Sequence, residues 1–183
     1  MQHTGTTTLT TDRLMLRRYT VDDAEAVYTN WASDPEVIKY LTWPVHTDVD
    51  MTRSILKTWI GLYRNDNNYH WAIAFKDTPD DPIGDIAVVH LDEEISIAHI
   101  GYCLSRKWWH QGIMSESLKA VMDHLFDVVG VNRIEAKHDT RNENSGKVMR
   151  KCGMIHEGTL RSSGRDNMGI CDEAYYAQLR DDR

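Results

Sequence analysis

The sequence has no long apolar run, no secretory leader and no paired-cysteine motif, and each absence removes a class of protein. No stretch approaches the roughly 20 apolar residues that a membrane-spanning helix needs. The N-terminus, MQHTGTTTLTT, has neither a basic start nor an apolar segment. The three cysteines, Cys103, Cys152 and Cys171, form no CxxC pair, and their odd number does not suit a disulfide framework. We therefore expect a cytoplasmic protein with free thiols and no membrane partner.

Basic charge and metal-binding motifs are also scarce. The net charge is −7, whereas a nucleic-acid surface needs clustered positive charge, so no nucleic-acid partner is expected. Nine histidines occur, but neither HExxH nor paired Cys/His spacing appears, so no metal is expected. With 41% hydrophobic and 27% charged residues, the chain is expected to form a single domain over residues 9–183, behind a disordered tail at residues 1–8.

The stretch from Ala98 to Val129 carries the clearest local pattern. It predicts a strand from His99 to Ser105, a loop from Arg106 to Met114 and a helix from Ser115 to about Val129. The helix is indicated by one apolar stripe at helical spacing, formed by Leu118, Val121, Met122, Leu125 and Phe126. Gly112 allows close approach of the backbone, and the first amides of a helix have no internal partners. Such a terminus attracts phosphate, although an ordinary strand-to-helix turn has the same glycine.

Periodicity elsewhere predicts the order β-α-α-β-β-β-α-β-α-β-β. One strand is expected over Leu9 to Tyr19. A first helical region follows, capped near Thr20 and restarted at Asp34, and then a second helix whose apolar positions begin with Met51. The later elements are strands over Tyr69 to Lys76, Ile83 to Leu91, Ile95 to Ser105, Asn132 to Asp139, Met154 to Arg161 and Asp172 to Leu179, with a short helix over Ser145 to Lys151. This order builds a mixed sheet with helices on its faces, an α/β or α+β fold.

Three segments carry a family resemblance: Ile100–Ser105 with Trp108–Ser115, Asn142–Ser145 with Lys151–Met154, and Thr10–Arg18. In that order they resemble the acetyl-CoA loop, the N-x-x-S helix with its following glycine, and the first strand of the GNAT acetyltransferase superfamily, in its ribosomal-protein N-acetyltransferase (RimJ/RimL-like) branch. The resemblance covers about residues 9–180. It implies a GNAT-like α/β (α+β mixed) fold, with a central, mixed, mostly antiparallel sheet of about seven strands.

Four positions depart from the usual family pattern. In the loop Gln/Arg-x-x-Gly-x-Gly/Ala, Trp109 fills the first place and Met114 the last, and both fit the narrower branch. Met149 stands where many members carry a tyrosine near the pantetheine sulfur, and His99 stands where branch members often carry glutamate. The identities of the general acid and the general base are therefore both left open.

The resemblance implies an acetyl-CoA-dependent N-acetyltransferase in which a primary amine attacks directly within a ternary complex. A protein N-terminal amine of the ribosomal-protein type is the first expectation for the acceptor. The alternatives are a small-molecule amine (a polyamine, an amino acid or an antibiotic) and a CoA-binding domain without turnover. Acetyl-CoA is the expected co-substrate, and a homodimer is left open. The acidic net charge suits a cationic acceptor.

Backbone groups are expected to provide most of the acetyl-CoA contacts. The pyrophosphate would be held by the amides of Gln111, Gly112, Met114 and Ser115. Free backbone groups of Cys103 and Leu104, exposed where the strand splays from its neighbour, would pair with the pantetheine and offer an oxyanion donor. The resemblance adds Asn142 as a ligand to the pantetheine arm.

Ser145 and His99 are the candidate catalytic residues. The resemblance places the Ser145 hydroxyl near the sulfur, where it would donate to the departing thiolate, while helix capping is the alternative role. His99 has a side chain suited to base catalysis at neutral pH, although a strand histidine is more often structural. Glu93, Glu94 and Glu135 compete for the role of base, as does a water relay.

The loop between the first helices supplies the candidate acceptor contacts. In this family the loop borders the acceptor site, which makes Tyr40, Trp43 and His46 the expected substrate-binding residues. Anchoring of the loop by the same three side chains is the alternative. Cys103 has no activating base beside it in sequence, so an acetyl-cysteine intermediate is not expected.

Overall fold

The computed structural model describes all residues from Met1 to Arg183 and shows an open sheet of eight strands. The strands are β1 (Leu9–Thr10), β2 (Leu14–Arg17), β3 (His70–Phe75), β4 (Gly84–Asp92), β5 (Ile97–Leu104), β6 (Arg133–Asp139), β7 (Ile155–Asp166) and β8 (Gly169–Leu179). The helices are α1 (Ala24–Val27), α2 (Pro35–Ile38), α3 (Val49–Leu62), α4 (Ile113–His124) and α5 (Glu143–Lys151). Helices α1 and α4 continue as π-helical turns over Tyr28–Ala32 and Leu125–Val129.

The sheet has the order β1-β2-β3-β4-β5-β6-β8-β7, and all neighbours are antiparallel except β5 and β6. This confirms the predicted mixed, mostly antiparallel sheet. The parallel pair covers only Ile97–His99 opposite Arg133–Glu135. Beyond these residues the two strands diverge, so a gap opens in the middle of the sheet.

Helices cover both faces of the sheet, and β3 shows how its residues divide between them. Trp71 and Ile73 belong to the larger core beneath α4, whereas Ala72 belongs to the smaller core beneath α1 and α3. Successive side chains of a strand point to opposite faces, which explains the division. The predicted apolar stripe is confirmed, since its members Leu118, Val121 and Met122 in α4 and Leu125 and Phe126 in the π-helical turn after it are all buried. None of the helices combines the length and apolar character needed to cross a bilayer.

The differences from the sequence prediction that matter most lie in three places. The single strand over Leu9 to Tyr19 is wrong, because Thr11 accepts a hydrogen bond from the amide of Leu14 (2.9 Å) and turns the chain into a β1–β2 hairpin. Helix α4 begins at Ile113 rather than Ser115. Strands β7 and β8 form a longer hairpin than predicted. The outer part of the hairpin is polar and exposed, so it lacks the apolar alternation on which the prediction depends.

Residues 1–8, which the sequence predicts to be a disordered tail, lie against the domain. The amide of Gln2 donates to Val129 O (2.7 Å), and the indole of Trp71 donates to Thr7 O (2.7 Å). Thr6 is buried and its hydroxyl donates to Asn68 O (2.9 Å). Hydrogen bonds, rather than apolar burial, hold this segment, which explains why hydrophobic patterning gives no sign of it.

Four histidines that are partly or fully withdrawn from solvent make the fold acid-sensitive. Burial is the first cause that lowers the pKa of each of them, namely His46, His99, His124 and His138. The folded state therefore binds fewer protons than the unfolded state. Their contribution to stability is present above the unfolded pKa of about 6.5 and is lost as the pH falls toward the folded values.

We expect the urea midpoint, followed by tryptophan fluorescence, to fall between about pH 7 and about pH 5. In His124→Gln, which removes an imidazole that lies 3.2 Å from Thr4 Oγ1, the fall is expected to be smaller. An identical pH dependence in the variant and the unmodified chain would contradict the assignment for His124.

Candidate functional site

A cleft of about 580 Å³ opens where β5 and β6 diverge. It is bounded by the end of β5, the turn before α4, the start of α5 and the loop after α2. The predicted site residues that line it are Tyr40, Cys103, Leu104, Gly112, Met114, Ser115, Asn142 and Ser145. The fold thus brings together residues from segments that are distant in sequence.

The turn before α4 presents consecutive backbone N–H groups that have no acceptor within the chain. None of the amides from His110 to Ser115 donates to a protein group, and the first bond inside the helix runs from Glu116 N to Gly112 O (3.0 Å). His110 and Gly112 have φ values of 61° and 75°. Turns of this kind form anion-binding concavities, and the helix N-terminus adds positive potential. The amides include those of the predicted residues Gln111, Gly112, Met114 and Ser115.

Two cationic side chains flank this turn. A Cβ placed on Gly112 would lie 3.6 Å from Arg13 Nη2 and 3.6 Å from Lys151 Nζ. Arg13 is held in place by Glu116 (2.7 Å) and donates to Gln111 O (3.1 Å). The sequence gives no sign of Arg13, which lies before β2, and it favours a solvated helix face for Lys151, which lies with Lys147 and Arg150 near the end of α5. They reach the turn only through the tertiary fold, where they complement a diphosphate.

The backbone of Cys103 faces β4 rather than the gap. Val88 N donates to Tyr69 O (2.9 Å), which assigns the peptide groups of Val88 to the β3 side of its strand. The peptide groups of Asp85, three residues earlier, therefore face β5, and they pair with the peptide groups of Cys103, the partner of Asp85 in the register. The prediction of free backbone groups at Cys103 is therefore wrong. Burial also raises the pKa of the Cys103 thiol, which keeps it protonated and unsuited to act as a nucleophile.

The free backbone edge of β5 is formed by Tyr102 and Leu104. Because strand residues alternate, their peptide groups point into the gap. The Leu104 carbonyl accepts a hydrogen bond from Trp109 Nε1 (2.8 Å). The Leu104 N–H lies beyond the last β5–β6 pair and stays free. An extended molecule with amide groups can pair with such an edge as an added strand would.

The side chains of Asn142 and Ser145 do not cap helix α5. Asn142 occupies the N-cap position but makes no side-chain cap bond. Ser145 Oγ lies 3.0 Å from Tyr102 Oη, and both Asn142 and Ser145 line the cleft. The capping alternative therefore does not account for either residue. Met149, at the position where many family members carry tyrosine, is buried in the core.

The candidate base residues lie outside the cleft. His99 is on the same face of β5 as Cys103 but roughly 13 Å along the strand, at about 3.3 Å per residue. Its Nδ1 atom lies 3.8 Å from Glu135 Oε2, and burial lowers its pKa, which favours the neutral imidazole. Glu93 and Glu94 are exposed in the turn after β4. Ser145, the candidate acid, therefore lines the cleft, whereas these candidate bases do not.

Of the three predicted substrate contacts, only Tyr40 lines the cleft. Trp43 packs against Trp31 with 6.0 Å between ring centroids. His46 is buried, and its Nδ1 lies 2.9 Å from Thr52 Oγ1. Trp43 and His46 therefore anchor the loop, the alternative that sequence analysis had left open, while Tyr40 faces the site.

The tip of the β7–β8 hairpin is fastened to the same loop by Asn167. Its side-chain amide lies 2.9 Å from Ile38 O, 3.0 Å from Leu41 O and 2.8 Å from Trp43 O. Its backbone N–H also donates to Leu41 O (3.2 Å). This Asn167 latch joins the hairpin to the loop that carries Tyr40.

Breaking the Asn167 latch is expected to loosen the loop without altering the turn before α4. In Asn167→Ala the side-chain bonds are lost, each worth about 0.5–1.5 kcal/mol. Amide hydrogen exchange over residues 38–46 should accelerate roughly tenfold. CoA affinity should stay within about twofold, because the phosphate-facing amides are unchanged. Met168→Ala, at the same exposed tip, is the control; equal acceleration in both variants would contradict the latch.

Asp139, Asp166 and Cys171 form a second cluster, in which one potential ligand atom from each lies within 4.8 Å of the others. Arg141 bonds to Asp139 and lies 3.6 Å from Asp166. Burial opposes ionisation of Asp139, but the Arg141 hydrogen bonds outweigh it and lower its pKa. Burial and the neighbouring Asp139 raise the pKa of Asp166. The Arg141 guanidinium thus already provides the positive charge that balances these two carboxyl groups.

Comparison with known proteins identifies the family. The family described as Acetyltransferase (GNAT) domain matches residues 13–155. The chain belongs to the GNAT acetyltransferase family. A relative described as the uncharacterized N-acetyltransferase p20 of Bacillus licheniformis is 33% identical over 173 residues, which cover 94% of this chain and 96% of the relative. The sequence-based resemblance is confirmed, and the protein is an acetyl-CoA-dependent N-acetyltransferase of GNAT type.

Two further similarities concern ribosomal-protein acetyltransferases. The ribosomal-protein-serine acetyltransferase of Escherichia coli (strain K12) is 29% identical over 143 residues, which cover 77% of this chain and 78% of that protein. A solved structure of RimL, described as a ribosomal L7/L12 alpha-N-protein acetyltransferase in complex with coenzyme A, superposes with a TM-score of 0.85 at 24% identity. It covers 97% of this chain and 100% of that one, and it shows the same fold.

Proposed function

We propose that this GNAT enzyme acetylates the N-terminal amine of a protein by direct attack in a ternary complex. The observation that carries the proposal is the cleft between β5 and β6, where anion-binding amides and a free strand edge lie beside the loop of Tyr40. A protein acceptor is supported by the similarity to the ribosomal-protein-serine acetyltransferase. The three unpaired cysteines suit a reducing, cytoplasmic setting.

The residues of the cleft fit acetyl-CoA, which supplies an activated acetyl thioester when bound. The amides from His110 to Ser115, with Arg13 and Lys151, would hold the diphosphate, and Asn142 would contact the pantetheine arm. Positioning of reacting groups in this way contributes roughly 7–11 kcal/mol in the best oriented cases. The fit rests on groups that are free within the chain and directed to one cleft.

Acetyl transfer also requires stabilisation of the oxyanion, stabilisation of the departing sulfur and removal of the amine proton. The free N–H of Leu104 is placed to stabilise the developing oxyanion. The Ser145 hydroxyl donates to the departing sulfur. His99 and Glu135 lie outside the cleft, so neither takes up the proton of the attacking amine directly, and in this proposal a water relay carries it. Because the Cys103 thiol stays protonated, we propose no acetyl-cysteine intermediate, and the amine attacks the thioester directly.

A thiol-release assay with acetyl-CoA and matched acceptors tests the proposal. We expect CoA release with peptides that have a free α-amine and none with the same peptides N-formylated. Faster release with a polyamine, amino acid or aminoglycoside than with every peptide would replace the protein acceptor by a small molecule. Calorimetric binding of acetyl-CoA without release on any amine would indicate a CoA-binding domain.

A further inference from the structure

Tyr102 contacts Ser145 across the gap between β5 and β6. Its phenol oxygen lies 3.0 Å from Ser145 Oγ and 3.1 Å from Ser145 O. Tyr102 lies near the end of β5, and Ser145 lies in the first turn of α5. Both residues line the cleft, so the contact lies next to the space assigned to the thioester.

The direction of this hydrogen bond decides where the single Ser145 hydroxyl proton points. The Ser145 carbonyl can only accept, whereas the phenol and the Ser145 hydroxyl can each donate to the other, so two arrangements satisfy these distances. Burial raises the pKa of Tyr102, and the phenol keeps its proton at neutral pH. When the phenol donates to Ser145 Oγ, the Ser145 proton is free to point into the cleft; when the phenol donates to the Ser145 carbonyl, the Ser145 hydroxyl donates to the phenol oxygen instead. Without the phenol, nothing else in the chain bonds to Ser145 Oγ.

We propose that Tyr102 is a positioning residue for acetyl transfer: its phenol donates to Ser145 Oγ and directs the Ser145 hydroxyl proton toward the departing sulfur. The assignment rests on the proposed function for its role in turnover. In the step it serves, a bond forms between the amine nitrogen and the acetyl carbon, and the C–S bond breaks. The sulfur keeps the electron pair and is stabilised by the Ser145 O–H. The proton lost by the amine neutralises the thiolate through water, so neither hydroxyl is consumed.

Titration of the thiol of bound CoA tests the assignment without requiring an acceptor. Thiolate formation is followed by ultraviolet absorbance on the complexes of the unmodified protein, Tyr102→Phe, Ser145→Ala and the double variant. A hydrogen bond from Ser145 favours the thiolate, so we expect the thiol pKa to rise by up to about one pH unit in Tyr102→Phe and in Ser145→Ala. Adding Tyr102→Phe to Ser145→Ala should cause no further rise.

Tyr176→Phe is the matched control, since Tyr176 also lies beneath α5 but bonds to Arg150 (2.6 Å) instead of Ser145. It should titrate like the unmodified protein. A Tyr102→Phe complex that titrates like the unmodified one, or a shift of equal size in the Ser145→Ala background, would overturn the assignment. A lower thiol pKa in Tyr102→Phe would also overturn it, because it would show that Ser145 donates to the phenol.

Turnover gives a second readout with a distinct signature. With an accepted amine, kcat should fall about tenfold in Tyr102→Phe, while the KM for acetyl-CoA stays within about twofold. The fall in kcat should vanish in the Ser145→Ala background, whereas a loss of packing would persist there. If no amine is acetylated, the proposed function fails, and the thiol titration still decides the role of Tyr102.

Discussion

Replacing Gly112 with valine is expected to raise the dissociation constant for coenzyme A about 100-fold, or about 2.7 kcal/mol. Gly112 has a φ of 75°, a left-handed conformation that costs an L-residue about 1–2 kcal/mol and a β-branched residue more. Relief of this strain would redirect the amides from His110 to Ser115. Each charge-assisted hydrogen bond to phosphate lost in this way is worth about 1.5–3 kcal/mol.

Calorimetry with coenzyme A measures the effect, and Gly130→Val is the matched control. Gly130 has a φ of 87° at the end of the π-helical turn after α4 and does not line the cleft. The control should lose stability by a similar amount and keep its affinity for coenzyme A. An equal loss of affinity in both variants would show that destabilisation, and not the turn before α4, sets the affinity.

The second large effect is expected for Ser145→Ala, in which kcat should fall about 100-fold or more, the range for loss of one hydrogen-bond donor to charge that develops in the transition state. The hydroxyl interacts with the departing sulfur and contributes little to ground-state binding, so the dissociation constant for coenzyme A should change less than about threefold. Steady-state thiol release measures kcat, and calorimetry measures the affinity.

Ser117→Ala provides the control for this serine. Ser117 is fully buried in α4, where its hydroxyl bonds to Ile113 O (3.0 Å), and it lies outside the cleft. Its removal should leave kcat nearly unchanged. An unchanged kcat in Ser145→Ala, with the melting temperature retained, would remove Ser145 from the mechanism.

The structure agrees with the sequence prediction wherever burial of one face gives the apolar residues a helical or strand period. The stripe from Leu118 to Phe126 marks α4, and the strands of the β3–β4–β5 meander appear in the predicted order. The prediction is wrong over Leu9 to Tyr19, because the β1–β2 turn depends on a side-chain hydrogen bond of Thr11. It also misses the docking of residues 1–8, where hydroxyl and backbone bonds replace apolar contacts.

The candidate site divides in the same way. The turn at Gly112 and the segment with Asn142 and Ser145 can be read locally, because a glycine before a helix and a polar helix start are local features. Which side chains face the cleft cannot be read locally. Trp43 and His46 anchor their loop, and the predicted base His99 is on β5 but outside the cleft.

The sequence by itself determined the order of the elements from α3 onward, the amide-rich turn before α4 and the family to which the chain belongs, because periodicity and short motifs are properties of neighbouring residues. Only the tertiary structure decided that Tyr102 takes the place of Cys103 at the free strand edge, since this depends on the register between β4 and β5. It also decided that Arg13 and Lys151 meet at Gly112 and that Tyr102 reaches Ser145. These contacts join segments far apart in the chain, and packing of the whole sheet sets their distances.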